Sequence, residues 1–313
     1  MTKVLFTGGG GAGNEALFAL LEKHYDLHFG DADIEAIDPI IPSTRRHRLP
    51  WASEPDFVDR IKNVCNTLKI DIIVPGVDEE LSLLARNSKK LEPTRLLLPS
   101  AEYIDIMLDK LKMIQALKAK KIPVPLSYTL DQDINLIKFP CISKPRNGRG
   151  SRDVKVLNSL KELKALKSVL GTYAHRFLIQ EKIEGVEYTV QMVANSKGSL
   201  VAIIPVKVQL KKGITLRANT EAEGRVISAC EAIHNVIPAR GTYNIQLILT
   251  SEGEVLPFEI NPRISTTLCL VVEAGIDPIA LYDEYTHRKE LLPFTAGIHL
   301  QRHWKNVFSQ QEA

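Results

Sequence analysis

The chain has 313 residues, 44% of them hydrophobic and 25% charged, with a formal net charge of +3. That length and composition suit a globular protein with two or three cores, and so slight a charge gives no electrostatic drive toward nucleic acid. No apolar stretch is long enough to span a bilayer, and the apolar run after Met-Thr-Lys is too short for a signal peptide, which removes a membrane partner and leaves a cytoplasmic location as the expectation. The cysteines (Cys65, Cys141, Cys230, Cys269) are far apart, form no Cys-x-x-Cys pair and suit a reducing compartment.

The first hundred residues alternate strand and helix signals. Strand patterns fall at 3–7, 27–30, 70–74 and 95–98, with helical patterns at 15–23, 57–68 and 79–86 between them. Such alternation predicts a parallel sheet with helices on both faces and ligands at the carboxyl ends of its strands. Gly8-x-Gly10-x-x-Gly13 follows the first strand and opens a helix, and Asp31 and Asp33 follow the second strand. The pattern fits a dinucleotide fingerprint, so an NAD-dependent oxidoreductase is one reading of this domain. Asp78, Glu79 and Glu80 lie just past a buried strand at the start of a helix, where negative charge complements the helix dipole.

From about residue 101 the pattern changes. A long helix is predicted over 103–120 and an extended breaker over 122–125. Strands follow at 136–144, 177–180, 186–194, 200–210, 241–250 and 254–260, with helices at 159–170 and 220–234. Hairpins mixed with helices indicate an α+β arrangement. Glu259 and Asn261 are two apart on a strand and project from one face. A turn at 250–253 would make a hairpin that brings Gln246 beside them, with Arg263 adjacent. Three oxygen-bearing side chains and a guanidinium suggest a site for a hard divalent cation and a nucleotide. The histidines are scattered and no nucleophile elbow or His-Glu-x-x-His helix occurs, so hydrolase readings lack support.

Upstream lie Lys110, Lys144-Pro145, the loop Asn147-Gly148-Arg149-Gly150-Ser151, and Gln180-Glu181-Lys-Ile183-Glu-Gly185-Val-Glu187. Taken in order with Gln246, Glu259, Asn261 and Arg263, this series resembles the ATP-grasp superfamily over about residues 1–273. It is most similar to the branch of the carbamoyl-phosphate synthase large subunit and the carboxylate–amine ligases. The resemblance implies a Rossmann-like domain over 1–105 and an ATP-grasp domain over 106–313, the latter split into a mobile ATP-binding subdomain (122–195) and a metal- and substrate-binding subdomain (196–313). It further implies ATP and Mg²⁺ (or Mn²⁺) as cofactors. Lys110 and Lys144 would contact the α- and β-phosphates, Gly148, Gly150 and Ser151 would cover them, Glu181 and Ile183 would face adenine, and Glu187 would hold the ribose. Gln246, Glu259 and Asn261 would bind the metal, and Arg263 and Arg217 would act on the transferring phosphoryl group or the acceptor. Lysine at positions 110 and 144, where carbamoyl-phosphate synthases usually carry arginine, moves the expectation toward a carbon–nitrogen ligase with small-molecule carboxylate and amine substrates. Phosphorylation of bicarbonate or carbamate is the alternative, and a homodimer is left open.

Overall fold

The structure is a computed structural model that describes residues 1–130, 137–148, 150, 152–283 and 290–306. The N-terminal segment forms β1 (Lys3–Thr7), α1 (Asn14–Leu21), β2 (Asp26–Asp31), β3 (Arg46–Arg48), α2 (Phe57–Leu68), β4 (Ile72–Val74), α3 (Asp78–Arg86), α4 (Ser88–Leu91) and β5 (Arg95–Leu96). Its strands pair in parallel in the order β3-β2-β1-β4-β5, as the alternating pattern required. Successive residues of β1 point to opposite faces. Val4 and Phe6 join Leu17 and Leu21 of α1 on one side, while Leu5 joins Phe57 and Ile61 of α2 and Leu81 of α3 on the other. The carboxyl ends of β1, β2 and β4 therefore converge on the turns that begin at Gly8, Ala32 and Pro75.

The helix expected over 103–120 is two helices, α5 (Ala101–Met107) and α6 (Lys110–Ala119). Asp109 breaks it. Its backbone is extended, and its carboxylate accepts from the Leu111 and Lys112 amides as an N-cap. The same carboxylate pairs with Arg146 at 2.6 Å, and the Lys110 amide donates to the Arg146 carbonyl at 2.9 Å. The break thus sets Lys110 in the first turn of α6, next to the loop after position 146.

A small antiparallel sheet comes next, built from β6 (Ser127–Thr129), β7 (Cys141–Pro145), β8 (Lys155–Leu157) and, after α7 (Leu160–Leu170), β9 (Phe177–Glu181), in the order β6-β9-β7-β8. The larger sheet contains β10 (Val186–Ala194), β11 (Leu200–Lys212), β12 (Ile214–Thr220), β13 (Gly241–Leu249), β14 (Val255–Asn261) and β15 (His299–Gln301), ordered β14-β13-β10-β11-β12-β15. Helices α8 (Gly224–Val236), α9 (Leu268–Glu273) and α10 (Pro278–Tyr282) accompany it. By sheet membership β10 belongs with β11 and β13, so the small unit ends near Glu181 rather than at residue 195. The strand expected at 136–144 begins at Cys141 among the described residues, and β12 occupies a stretch with no predicted element before a helix expected at 220.

The large sheet has one greasy and one polar face over β10, β13 and β14. Tyr188, Val190, Met192, Tyr243, Ile245, Leu247 and Ile260 pack with Met113 and Leu117 of α6 and Val226 and Cys230 of α8. Glu187, Thr189, Asn244, Gln246, Glu259 and Asn261 alternate with them and line a cavity. Replacing Asp109 with alanine removes the cap and the Arg146 partner together. Urea unfolding should show a loss of about 1–2 kcal/mol. An unchanged midpoint would mean that Asp109 does not hold the break.

Candidate nucleotide and metal site

One cavity of about 1120 Å³ lies where the three sheets meet. The small sheet and the segment after it contribute Lys144, Gln180, Glu181 and Ile183, the large sheet contributes its polar face, and the parallel sheet contributes the turns after β1, β2 and β4. Gly148 and Gly150 also line it, with φ of 120° and 69° and open space where a Cβ would stand. Ser151 and Arg149 lie outside the described residues.

The β13–β14 hairpin forms as its sequence indicates. The Thr250 amide donates to the Glu254 carbonyl, and Gln246 sits directly across from Glu259, with Asn244 across from Asn261. Between Gln246 and Leu247 the register shifts, and Phe258 has no counterpart on β13. Its carbonyl accepts from the Lys144 ammonium at 3.2 Å, and its ring lies 5.2 Å from that ammonium. The amide nitrogen of Asn261 donates to Asn244 at 3.1 Å, leaving its oxygen as the remaining acceptor. Gln246, Glu259 and Asn261 therefore offer one carboxylate and two amide oxygens on a single face. Such a set is hard and sparsely charged, and it suits a divalent ion that takes further ligands from phosphate. Among the described residues no group of three or more His, Cys, Asp or Glu side chains is placed to hold a metal ion.

The cations face the same space. Lys110 is buried, with its ammonium 3.5 Å from Glu259 and 2.8 Å from the Gly148 carbonyl. A lysine in the first turn has the wrong sign for the helix dipole, so its place in α6 strengthens a positive end rather than the helix. Lys144 is 6% exposed and donates to the Gln180 amide oxygen at 2.9 Å. Burial lowers its ammonium to about 8; Glu259 opposes the shift, and the Lys110 and Lys211 charges add to it. Lys211 has no motif of its own and is absent from the sequence-derived set. It bonds Glu187 at 2.6 Å and the Gln246 oxygen at 3.0 Å. Asn244, Ile142, Ile248 and Phe258 were equally silent in sequence, and the last three form apolar walls of the cavity.

The remaining expected residues divide. Glu187 lines the cavity, as do Glu181 and Ile183. Glu181 is also a clamp: its amide donates to the Leu126 carbonyl and its carboxylate accepts the Leu126 amide at 2.6 Å. Arg263 ion-pairs with Asp78 of α3, joining the large sheet to the parallel one. Arg217 is exposed and lies outside the cavity lining. Between the Val208–Ala218 and Lys211–Thr215 pairs the hairpin is irregular, skipping Gln209 in β11 and Leu216 in β12, and the register is the same on either side. Thr215 lines the cavity, whereas Arg217 is exposed.

The glycine turn after β1 is folded on itself. The amides of Gly9, Gly10, Gly11 and Gly13 donate respectively to the Gly30 carbonyl, the Asp31 carboxylate, the Gly8 carbonyl and the Glu15 carboxylate. A pyrophosphate cradle needs such amides unspent. The dinucleotide reading therefore loses its main physical basis. Nearby, Glu80 is 4% exposed, and its carboxylate accepts from the Thr7 hydroxyl and, at 3.2 Å, from the Val77 amide. Burial pushes it up to about 7 against the pull of those hydrogen bonds.

A sequence model of the ATP-grasp domain matches residues 107–267, just over half of the chain. Carbamoyl-phosphate synthase of Methanobrevibacter smithii is 24% identical over 64% of this chain and 55% of its own length, so the chain spans little more than half of that relative. The biotin carboxylase of Campylobacter jejuni, solved as a β-γ-ATP complex, superposes with a TM-score of 0.69 at 17% identity, covering 95% of this chain and 74% of that one. An L-amino acid ligase from Bacillus licheniformis gives 0.63 at 15% identity, covering 88% and 71%. At these identities the structural likenesses establish the fold: a Rossmann-like domain followed by an ATP-grasp domain.

The state of Glu80 has a stability signature. Its folded pKa exceeds its unfolded value of 4.5, so the unfolded chain ionises first and wild-type stability falls as pH rises from 4.5 to 7, then levels. Glu80→Gln carries no such loss. Relative to wild type the variant should gain about 2 kcal/mol between pH 5 and pH 8 in urea unfolding. A constant difference across that range would mean that Glu80 is ionised throughout.

Proposed function

This chain belongs to the ATP-grasp family, and we propose that it is an ATP-dependent carbon–nitrogen ligase. The observation that carries the reading is the shared face of Gln246, Glu259 and Asn261 opposite the ammonium groups of Lys110 and Lys144. Lys110 and Lys144 hold the nucleotide phosphates, with Gly148 and Gly150 above them. Ile183, Ile142, Ile248 and Phe258 enclose adenine, and Glu187 accepts from the ribose hydroxyls once Lys211 gives it up. Gln246, Glu259 and Asn261 hold Mg²⁺ or Mn²⁺, which when bound neutralises charge on the transferring phosphoryl group. Arg263, fixed by Asp78, supports the same charge. Arg217 is not retained as a catalytic group.

In this reaction a substrate carboxylate oxygen attacks the γ-phosphorus, the bond to the β–γ bridging oxygen breaks, and ADP leaves. The amine nitrogen then attacks the acyl carbon, loses a proton, and phosphate departs with the electrons of the C–O bond. The substrates are small molecules, and the four free, buried thiols accord with a cytoplasmic setting. Bicarbonate as the phosphoryl acceptor is the second reading, favoured by the likeness to carbamoyl-phosphate synthase; ADP release with bicarbonate alone would select it.

Mg²⁺·ATP should raise thermal stability by about 2.7 kcal/mol at a hundredfold excess over Kd, and NADH should not. Glu259→Gln should cut ADP release roughly a hundredfold while nucleotide affinity changes little, because the lost charge acts on the transferring group. Stabilisation by NADH alone, or full turnover in the variant at saturating Mg²⁺, would contradict the proposal.

A further inference from the structure

Gly13 closes the glycine turn after β1, and its φ of 100° already favours a residue without a side chain. A Cβ there would stand 2.9 Å from the Thr266 carbonyl oxygen, 3.2 Å from the Arg302 guanidinium and 3.3 Å from the Cys269 sulfur. None of those groups belongs to the parallel-sheet domain. The spacing that fits a dinucleotide fingerprint thus leaves a gap that the later part of the chain fills.

Arg302 directly follows β15, and its side chain is 11% exposed yet absent from the cavity lining. Its Nε donates to the Thr215 carbonyl at 3.0 Å and its Nη2 to the Thr266 carbonyl. Its Nη1 lies 3.9 Å from Glu15 of α1, whose other carboxylate oxygen accepts the Gly13 amide at 3.0 Å. A guanidinium is a planar fork with donors in fixed directions, so one side chain ties three segments together. Two of them, through Thr215 and Thr266, form part of the cavity wall.

The loop that ends at Thr266 also carries Arg263 into the cavity, and it is pinned along its length. The Arg263 carbonyl accepts from the Asn244 side-chain amide at 3.0 Å, and the Ser265 hydroxyl donates to the Gln191 oxygen at 3.0 Å. Arg302 supplies the hold at Thr266 from outside the cavity.

We propose that Arg302 is a positioning residue for the nucleotide site. Seated on the glycine turn, it fixes the loop that presents Arg263 to the terminal phosphate. This role rests on the ATP-site reading above and belongs to a group that never touches the ligand. A loop already held in its binding geometry spares the ligand the cost of ordering it. Charge-assisted bonds from a guanidinium to backbone carbonyls are strong enough to hold it there.

Arg302→Met removes the guanidinium and keeps an unbranched stem. Without nucleotide, hydrogen exchange at residues 262–267 should quicken about tenfold in this variant, with β10 unchanged. In titrations with Mg²⁺, a non-hydrolysable ATP analogue should bind about tenfold more weakly and ADP less than about threefold more weakly. A general loss of structure would weaken both alike. Arg302→Lys keeps the charge without the fork and should show the same pattern. Unchanged exchange at 262–267, equal weakening of both nucleotides, or full recovery in Arg302→Lys would each overturn the assignment. Wild-type binding of Mg²⁺·ADP tests the ATP-site reading itself, and the exchange measurement needs no ligand, so the two failures are distinguishable.

Discussion

Lys144 is a buried cation whose direct partners are neutral oxygens, those of Gln180 and the Phe258 carbonyl. Burying an ammonium is expensive, and the depressed pKa records that cost. Lys110, also buried, shares Glu259 with it electrostatically, and Lys211 is held off by Glu187 and Gln246. On the proposed reading, a polyphosphate entering this space would supply the anionic partner that Lys144 lacks.

One single-residue irregularity shapes the surroundings. The bulge at Phe258 frees a carbonyl for Lys144 and slides its ring beneath the ammonium, while leaving Glu259 opposite Gln246. In the β11–β12 hairpin Thr215 stands at the cavity and Arg217 in solvent. Side-chain alternation in a strand has a period of two, so each extra residue exchanges the faces beyond it. The cap at Asp109 does comparable work in a helix. Without that break Lys110 would be an interior helical lysine, with no reason to meet Glu259.

Much of this was legible in the sequence. The β1 strand, the α2 helix and β10 match their patterns because their apolar periods are long and uninterrupted, and the β13–β14 hairpin follows from two apolar runs around a short polar turn. The shared face of Gln246, Glu259 and Asn261 was readable because i and i+2 project alike and the hairpin sets Gln246 across from Glu259. What stayed hidden depends on tertiary geometry. Lys211 is one of several lysines, and only the end of the β11–β12 hairpin directs it inward. Arg217, placed at the site by its position in the family order, stands exposed outside the cavity lining, which its spacing does not reveal. The glycine turn matched a dinucleotide pattern, yet spacing does not reveal that Asp31 and Gly30 already occupy its amides. The short strands β3, β6 and β15 carry too few residues for a period to show.

The central claim is that nucleotide binds between the two antiparallel sheets and not at the glycine turn. Hydrogen exchange with and without Mg²⁺ and a non-hydrolysable ATP analogue measures this at backbone resolution. The account expects slowed exchange at residues 182–185 and 262–266, segments outside the strands that contribute Lys182, Ile183, Arg263, Ser265 and Thr266 to the cavity lining, with residues 8–13 unchanged. Protection of residues 8–13 without protection of the other two segments would contradict it.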